Sequence, residues 1–240
     1  NNLEIEAKLG RFYFTGEYVQ CMEYIKETFQ IPNYDTRDKL TKYEFRSGLE
    51  EGQFFTIWYY VEKECQHNTE IIRQTPLTIK DTSYNTGKRK SLIYKNNELV
   101  KEEIIRKEDK LHFNLRDMGN DIRFTACKEM MTDITSEDIP VGTRDKFRIS
   151  YKFRYLRLDF TIVTSGSEIS YEIELEFADM AYVIANTKTY EEFSYLFLRY
   201  IENVFCIYNT TSFEYYLEKT GTRNRIGTMF GDYLEKKLNN

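Results

Sequence analysis

The sequence predicts a mainly β protein with flanking helices, and three observations lead to this fold class. Two stretches, residues 3–10 and 171–177, alternate between charged and apolar side chains, which is the pattern of strands with one ionic and one apolar face. The chain has 20 Tyr and 17 Phe but only 3 Pro, a composition that favours sheets and helices over disordered linkers. Further segments repeat apolar residues at helical spacing, which predicts helices beside the sheet.

The two alternating stretches place five carboxylates in two short rows. They are Glu4 and Glu6, which share a strand face with Lys8, and Glu172, Glu174 and Glu176. A single row of this kind is commonly the solvated face of a strand. Carboxylates two residues apart repel each other, however, so two such rows are harder to explain in that way. A hard divalent cation held by oxygen ligands would neutralise them.

Composition and charge exclude several classes of protein. The 240 residues carry a formal net charge of −5, so a polyanion would have to bind a local basic cluster. The 4 cysteines and 2 histidines have no metal-ligand spacing, which argues against zinc. Because no apolar run reaches membrane-spanning length and no secretory signal is visible, we expect an intracellular protein that does not enter a membrane. The chain opens without methionine, so we expect a piece of a longer protein.

Outside the two rows, the sequence predicts three helices and a series of short strands. Helical spacing predicts a helix over residues 18–29, and a capping box, with Ser47 as N-cap and Glu50 at N3, predicts the start of a second. An amphipathic pattern over residues 193–205 predicts the longest helix. The predicted strands are residues 43–45, 69–74, 86–95, 99–107, 110–116 and 121–129, and the predicted turns are residues 81–85 and 118–121.

Residues 144–163 repeat the alternation with basic side chains. One strand face carries Arg144, Lys146 and Arg148, and the next carries Arg157, Asp159 and Thr161. Arginine and lysine suit phosphate oxygens, just as carboxylates suit Mg²⁺ or Mn²⁺. The two kinds of row together therefore indicate a site for a metal and a polyanion.

Two architectures can accommodate strands with one ionic and one aliphatic face. In an ordinary half-buried sheet, the aliphatic face packs on the core and the ions face water. In a closed barrel, the ions line the interior and helices cover parts of the outside. Charges inside a barrel are costly unless they are paired or bound to a ligand. Composition alone favours the ordinary sheet, whereas the matched residue types favour the barrel.

The sequence resembles a known enzyme superfamily at several of these segments. Residues 4–8 resemble the N-terminal ExExK signature of the triphosphate tunnel metalloenzymes, and residues 172–176 resemble their C-terminal glutamate strand. Residues 144–151 and 157–163 resemble the paired strands of the RNA 5′-triphosphatases of fungi, protozoa and large DNA viruses. Residues 121–123, followed by Glu129, and residues 45–49 fit the same branch.

The resemblance implies a fold, an activity and partners. The fold would be a closed eight-stranded antiparallel barrel with helices outside, and residues 1–240 would form a single catalytic domain. The activity would be metal-dependent removal of the γ-phosphate from the 5′ end of nascent RNA, the first step of mRNA capping, with hydrolysis of NTPs as well. The expected partners are triphosphate-ended RNA, NTPs and a guanylyltransferase domain or subunit. The expected location is the nucleus, or the cytoplasm or virion of a viral system.

The resemblance also implies roles for individual residues. Glu4, Glu6 and Glu176 would ligate Mg²⁺ or Mn²⁺, and Glu174 and Asp159 would hold its waters, beside Glu172 on the same strand face as Glu174. The residues that would clamp phosphate oxygens are Arg144, Lys146, Arg148, Arg157, Arg73, Arg123 and either Arg106 or Lys107. Glu129 would orient or deprotonate the attacking water. Lys8 would contact phosphate or pair with a neighbouring glutamate, and Thr161 would be a ligand or a residue chosen for its β propensity.

Three other readings of the sequence stay open at this point. The first is another tunnel enzyme that acts on tripolyphosphate, thiamine triphosphate or ATP. The second is a polyphosphate-binding module without turnover, against which the full set of acidic residues argues. The third is a structural β domain with solvated ionic faces, which would bind neither metal nor triphosphate tightly.

Overall fold

The computed structural model describes residues 3–14, 17–18, 43–116, 121–187, 189, 191–193, 195–196 and 199–200. Its strands are β1 (Leu3–Phe14), β2 (Glu17–Tyr18), β3 (Tyr43–Ser47), β4 (Ile71–Arg73), β5 (Leu77–Tyr84), β6 (Lys88–Lys95), β7 (Glu98–Arg116), β8 (Asp121–Met131), β9 (Pro140–Phe153), β10 (Leu156–Ser165) and β11 (Glu168–Phe177). Two helices are α1 (Glu51–His67) and α2 (Met180–Asn186), and residues 191–193, 195–196 and 199–200 are also helical. The helix predicted over residues 18–29 lies outside the described residues.

Eight of the strands close into an antiparallel barrel, which confirms the predicted fold class. Around the barrel the order is β10, β11, β1, β8, β7, β6, β5 and β9, and β9 pairs again with β10. The strands β2 and β3 pair with β1, and β4 pairs with β9, outside this ring of eight. Because the ring is closed, the barrel strands leave no free edge along their paired lengths.

The ionic faces line the interior of the barrel, which we call the lumen. Lys107 of β7 reaches Glu4 of β1 although β8 lies between these strands. Arg148 of β9 reaches Glu174 of β11 across β10 in the same way, with a separation of 3.3 Å between Nη2 and Oε2. Side chains that are separated by an intervening strand can meet on the concave side of a closed sheet, so the charge rows face inward.

The helix α1 covers part of the outer, apolar face of the barrel. Phe54 is 3% exposed, and its ring centroid lies 5.6 Å from that of Phe160 and 5.4 Å from that of Tyr171. The indole N–H of Trp58 donates a hydrogen bond to the hydroxyl of Tyr151 at 2.8 Å. These aromatic contacts join α1 to β9, β10 and β11 directly behind the strands that carry Arg148 and Asp159.

Replacing Phe54 with alanine should therefore destabilise the barrel strongly. Removing a buried phenyl ring leaves a cavity, so the free energy of unfolding should fall by about 3–5 kcal/mol. Urea denaturation would measure the change. Tyr60→Ala on the same helix is the matched control, because Tyr60 is 69% exposed and its loss should stay within about 0.5 kcal/mol. Equal losses for the two variants would contradict the packing of α1 through Phe54.

The predicted capping box at residues 47–50 is wrong, although the helix after it is present. The N-cap of α1 is Glu50, and its side chain makes no capping hydrogen bond. The hydroxyl of Ser47 instead donates to Oε1 of Glu172 at 2.8 Å. Ser47 is thus the last residue of β3 rather than the N-cap of α1. Its hydroxyl donates to a residue of β11, 125 positions along the chain, and not to the helix backbone.

Two further predictions of secondary structure need correction. The predicted turn at residues 81–85 is mostly strand, since β5 continues to Tyr84. The strands predicted separately at residues 99–107 and 110–116 are one strand, β7, whose register with β8 shifts between Glu108 and Leu111. At this irregularity Asp109 has a positive φ of 51°. The turn predicted at residues 118–121 has only its last residue, Asp121, among the described residues, where it begins β8.

Residues 2–176 and residues 177–240 form two compact units. In the second unit, the Asp179 carboxylate accepts a hydrogen bond from the backbone N–H of Tyr182 at 2.8 Å and caps α2. The rings of Phe177 and Tyr200 stack at 4.6 Å. In the range 193–205, where a helix is predicted, the described residues 193, 195–196 and 199–200 are helical, and the other residues lie outside the described part of the chain. Among the described helices, none combines the length and the apolar character needed to cross a membrane.

Candidate active site

The strands β1 and β11 bring the two carboxylate rows together inside the lumen. Their antiparallel register sets Glu6 opposite Glu176 and Lys8 opposite Glu174. Residues directly opposite each other on such strands have Cβ atoms about 5 Å apart, so their side chains meet. The ammonium of Lys8 lies 2.6 Å from Oε1 of Glu174 and 3.3 Å from Oε2 of Glu6. Lys8 therefore joins the two rows.

Lys107 brings a second positive charge to the acidic rows from β7. Its ammonium contacts Oε2 of Glu4 and lies 3.6 Å from Oε1 of Glu6 and 3.6 Å from Oε1 of Glu129. The thiol of Cys127 donates to the same Glu4 oxygen at 3.1 Å. Register explains the arrangement, because β8 sets Cys127 opposite Glu4 and β7 sets Lys107 opposite Glu129.

Arg148 of β9 is held at all three of its nitrogen positions. Its Nε donates to Oγ1 of Thr161 at 3.1 Å, and its Nη1 lies 3.0 Å from Oδ2 of Asp159. Its Nη2 lies 3.3 Å from Oε2 of Glu174. Asp159 is fully buried and is also approached by Nε of Arg157 at 3.1 Å. Arg148 thus links the basic strands to the acidic row.

Arg157 makes a corresponding link at the neighbouring position. Its Nη2 lies 2.7 Å from Oε1 of Glu176 while its Nε contacts both oxygens of Asp159, at 3.1 and 3.2 Å. The acidic and basic rows are therefore interleaved in the lumen rather than arranged as two opposed walls.

A second charge cluster in the lumen centres on Asp81 of β5. The ammonium of Lys146 lies 2.7 Å from Oδ2 of Asp81, and the Ser91 hydroxyl donates to Oδ1 at 2.7 Å. Arg144 is only loosely held there, since its Nη2 is 3.8 Å from Asp81 and its side chain is 39% exposed. Arg89 on β6 has a buried Nε with no hydrogen-bond partner in the described part of the chain.

Burial raises the pKa values of two carboxylates in the acidic rows, Glu6 and Glu176. Burial raises the pKa of Glu176 to about 8, and Arg157 offsets this only partly. Burial also raises the pKa of Glu6, with Lys8 opposing the change and Glu174 adding to it. Burial acts to raise the pKa of Glu174 as well, but the charges of Lys8 and Arg148 together hold this pKa below its ordinary value.

Two further carboxylates near this cluster are shifted in opposite directions. Burial acts to raise the pKa of Glu4, but the charge and hydrogen bond of Lys107 bring it below its ordinary value. Burial raises the pKa of Glu129, and the nearby charge of Glu4 raises it further. Glu129 is therefore the more basic carboxylate of this pair.

Comparison with known proteins identifies the family. The sequence profile of the family described as mRNA capping enzyme, beta chain, matches residues 1–212. The chain belongs to this family. It is accordingly an RNA 5′-triphosphatase of mRNA capping, an enzyme that hydrolyses a phosphoric anhydride. A search of curated protein sequences finds no match.

Two solved structures of the S. pombe RNA triphosphatase share the fold of this capping triphosphatase, and a third structure gives a weaker match. The structure of the S. pombe RNA triphosphatase Pct1 in complex with the Spt5 CTD has a TM-score of 0.65 and 16% identity, with 86% of each chain covered. A structure of Pct1 of S. pombe has a TM-score of 0.64 and 17% identity, covering 86% of this chain and 84% of that one. The Mimivirus capping enzyme triphosphatase has a TM-score of 0.44 and 13% identity, covering 86% and 89%.

The acidic residues of this capping triphosphatase suit a divalent cation in their chemistry. Glu4 and Glu6 lie on one face of β1, and Glu176 lies directly opposite Glu6. Burial raises the pKa values of Glu6 and Glu176 because it disfavours their ionised forms, and a hard cation with oxygen ligands would stabilise those forms. Among the described residues, no three acidic, histidine or cysteine side chains are already gathered around one metal position. Lys107 contacts Glu4 instead, so a bound metal would have to displace the Lys107 ammonium from Glu4.

Most of the residues singled out from the sequence lie in the lumen, but two do not. Arg73 of β4 is paired with Tyr151 and lies 3.6 Å from Glu62 of α1, on the outer side of the barrel. Arg106 contacts Glu108 and is half exposed, whereas its neighbour Lys107 points into the lumen. The residues that the structure brings to the lumen are Glu4, Glu6, Lys8, Lys107, Arg123, Glu129, Arg144, Lys146, Arg148, Arg157, Asp159, Thr161, Glu172, Glu174 and Glu176. Their individual roles stay predictions.

Sequence reasoning missed several polar residues of the lumen. Asp81 was missed because residues 81–85 resemble a turn. Ser91 was missed because its predicted strand, residues 86–95, has no charge row that marks a lumen face. Arg89 lies between Lys88 and Lys90, and only the strand register shows that Arg89 is the one opposite the lumen-facing Ser83. The alternation of β5 and β6 around Asp81 is the signal that could have identified them.

Proposed function

We propose that the lumen removes the γ-phosphate from the 5′-triphosphate end of RNA, with a divalent cation held by Glu4, Glu6 and Glu176. One observation supports this most strongly. Carboxylates and cationic side chains from all eight barrel strands face one enclosed space, and Lys107 and Arg148 each reach across an intervening strand. A structural β domain has no need of so many buried charges, because burying them is costly without a ligand.

The cation would be Mg²⁺ or Mn²⁺, both of which prefer oxygen ligands. When bound, it would offset the negative charge of the γ-phosphate and of the transition state. Glu174 and Asp159 would orient its waters from neighbouring positions. Both already have fixed orientations, since Lys8 and Arg148 hold Glu174 and Arg148 and Arg157 hold Asp159.

The basic side chains of the lumen would hold the triphosphate. Charge spreads over the phosphate oxygens in the transition state, so positioned cations contribute mainly by electrostatic stabilisation. Arg144 and Lys146 are the most suitable contacts, because in the described part of the chain both pair with the same carboxylate, that of Asp81. Lys8 and Arg123, which face each other across β1 and β8, would bind further oxygens. Glu129, with its raised pKa, would accept the proton of the attacking water.

A direct comparison of substrates would test the proposed function. The purified protein should release phosphate from triphosphate-ended RNA more efficiently than from tripolyphosphate or thiamine triphosphate, and only when Mg²⁺ or Mn²⁺ is added. NTPs should also be hydrolysed. Equal release without a divalent cation would exclude the proposed metal role, and a preference for tripolyphosphate over RNA would favour a different tunnel enzyme.

Arg144→Ala should weaken triphosphate binding without changing the metal requirement. The guanidinium makes charge-assisted hydrogen bonds worth roughly 1.5–3 kcal/mol each, so kcat/KM should fall about ten- to hundredfold. Arg144→Lys should recover only part of the loss, because an ammonium cannot make the bidentate contact. Separate titrations of RNA and of Mn²⁺ would measure both effects. A shift confined to the Mn²⁺ titration would contradict the assignment of Arg144 to the triphosphate.

Membership of the capping family supports a proposal about the wider setting. Residues 1–240 would work as one catalytic domain and would pass a diphosphate-ended RNA to a guanylyltransferase domain or subunit. The place of action would be the nucleus, or the cytoplasm or virion of a viral capping system. Co-purification with a guanylyltransferase activity would support this setting. RNA capping that proceeds in the host when this chain has been removed would contradict it.

A further inference from the structure

The strand β3 enters the barrel wall at the end of the lumen that lies beyond Lys8. It pairs with β1 from Gly10 onward, where β11 no longer does. The residues that follow β3 hydrogen-bond to both neighbours: Gly48 N–H donates to the Leu9 carbonyl at 3.0 Å, and Leu49 N–H donates to the Tyr171 carbonyl at 2.8 Å. The end of β3 is therefore anchored between β1 and β11.

Gly10 makes this close approach possible. It is the next residue of β1 after Glu6 and Lys8 on the face that points into the lumen. A Cβ atom at Gly10 would lie 2.2 Å from the Arg46 carbonyl oxygen and 2.9 Å from Cα of Ser47, both in the backbone of β3. Such contacts are far inside van der Waals distance, so only glycine allows β3 to lie where it does.

The position of β3 delivers a hydroxyl to the acidic row. Ser47 donates to Oε1 of Glu172 at 2.8 Å, and Glu172 is 8% exposed. Glu172 precedes Glu174 on the lumen face of β11, and Glu174 is the carboxylate that holds Lys8 at 2.6 Å. Without the hydroxyl, the buried Glu172 carboxylate would need another donor, and the ammonium of Lys8 is a nearby charge that already interacts with it.

We propose that Ser47 is a positioning residue of the active site. By holding Glu172 toward β3, it keeps the Lys8 ammonium between Glu6 and Glu174, where it can contact a triphosphate. Loss of the hydroxyl releases Glu172 to compete with the triphosphate for Lys8. This inference rests on the proposed role of Lys8 as a phosphate contact.

Ser47→Ala tests the inference through a split between two kinetic parameters. The KM for triphosphate-ended RNA should rise about tenfold, the value of one hydrogen bond to a charged group, while kcat changes little. Tripolyphosphate binding, measured by calorimetry without added metal, should weaken by the same factor. Ser47→Thr retains a hydroxyl and should restore both values. Ser165→Ala is the matched control, because the exposed Ser165 hydroxyl of β10 donates to a backbone carbonyl, that of Thr143 at 3.4 Å, rather than to a carboxylate of the acidic row.

A double-mutant cycle separates positioning from a general structural effect. If Ser47 acts through Glu172, then Ser47→Ala should raise KM in the native background and add nothing in a Glu172→Gln background. Additive increases, or a Ser47→Ala variant with an unchanged KM, would overturn the inference. Lys8→Ala provides the remaining distinction. If it leaves KM unchanged, the proposed role of Lys8 itself fails. If it raises KM while Ser47→Ala does not, only the positioning role fails.

Discussion

Glu6→Ala should abolish hydrolysis while the protein stays folded. Glu6 is 5% exposed, lies opposite Glu176 and is 3.3 Å from the Lys8 ammonium. Removing one of three carboxylates that would hold the cation removes several kcal/mol of transition-state stabilisation, so kcat/KM should fall at least about a thousandfold. Stability should not fall, because burial and the charges of Glu174 and Glu4 disfavour the ionised Glu6 that is lost.

Three measurements define this result. Phosphate release gives the loss of activity, calorimetry with Mn²⁺ gives the loss of metal binding, and urea denaturation shows that the fold is retained. Glu102→Ala is the matched control, because Glu102 forms an exposed ion pair with Lys90 at 2.7 Å and should change none of the three. Near-native turnover of the Glu6 variant would remove Glu6 from the metal site.

Alternation in the sequence predicted which charged side chains share one face of each strand. A strand has a period of two, so Glu4 and Glu6 had to face the same way, as did Arg157 and Asp159. This period of two gives the face of each side chain but does not determine the order of strands around the barrel. The sequence therefore predicted an acidic row and a basic row with separate roles, whereas Lys8 and Arg157 each contact carboxylates of the acidic row directly.

The error at β5 has a physical cause that applies to any polar lumen. Asp81 and Ser83 look like turn residues because, on most strands, such side chains are rare. Inside this barrel they point to the lumen, where Asp81 pairs with Lys146 and accepts from Ser91. The composition rule fails because it assumes an apolar interior, and here the interior is ionic.

The choice between Arg106 and Lys107 could not be made from the sequence for a different reason. Adjacent residues of a strand face opposite sides, so one of the two had to point into the lumen. Which one depends on the register of β7 against β8, and this register shifts between Glu108 and Leu111. An irregularity of one residue reverses the faces of a strand, and no pattern in residues 99–116 fixes its position.

The second large effect is expected at Arg148, and it should differ in kind from the effect at Arg144. Arg148 is 16% exposed in its side chain and contacts Thr161, Asp159 and Glu174 with its three nitrogens. Removing one partner of a buried ion pair leaves an uncompensated charge, which costs about 3–5 kcal/mol. Arg148→Ala should therefore lower the free energy of unfolding by that amount and reduce kcat/KM by about a hundredfold or more.

Arg148→Lys should recover only part of the stability, because one ammonium cannot replace a planar guanidinium at three acceptors. Arg144→Ala serves as the matched arginine variant. Its side chain is 39% exposed and, among the described residues, its one ion pair is with Asp81 at 3.8 Å, so its loss should raise the KM for RNA and leave unfolding unchanged. Urea denaturation and RNA titration of both variants would measure the contrast. If Arg148→Ala unfolds at the native urea concentration, then its contacts with Asp159 and Glu174 do not support the barrel, and Arg148 acts on the triphosphate alone.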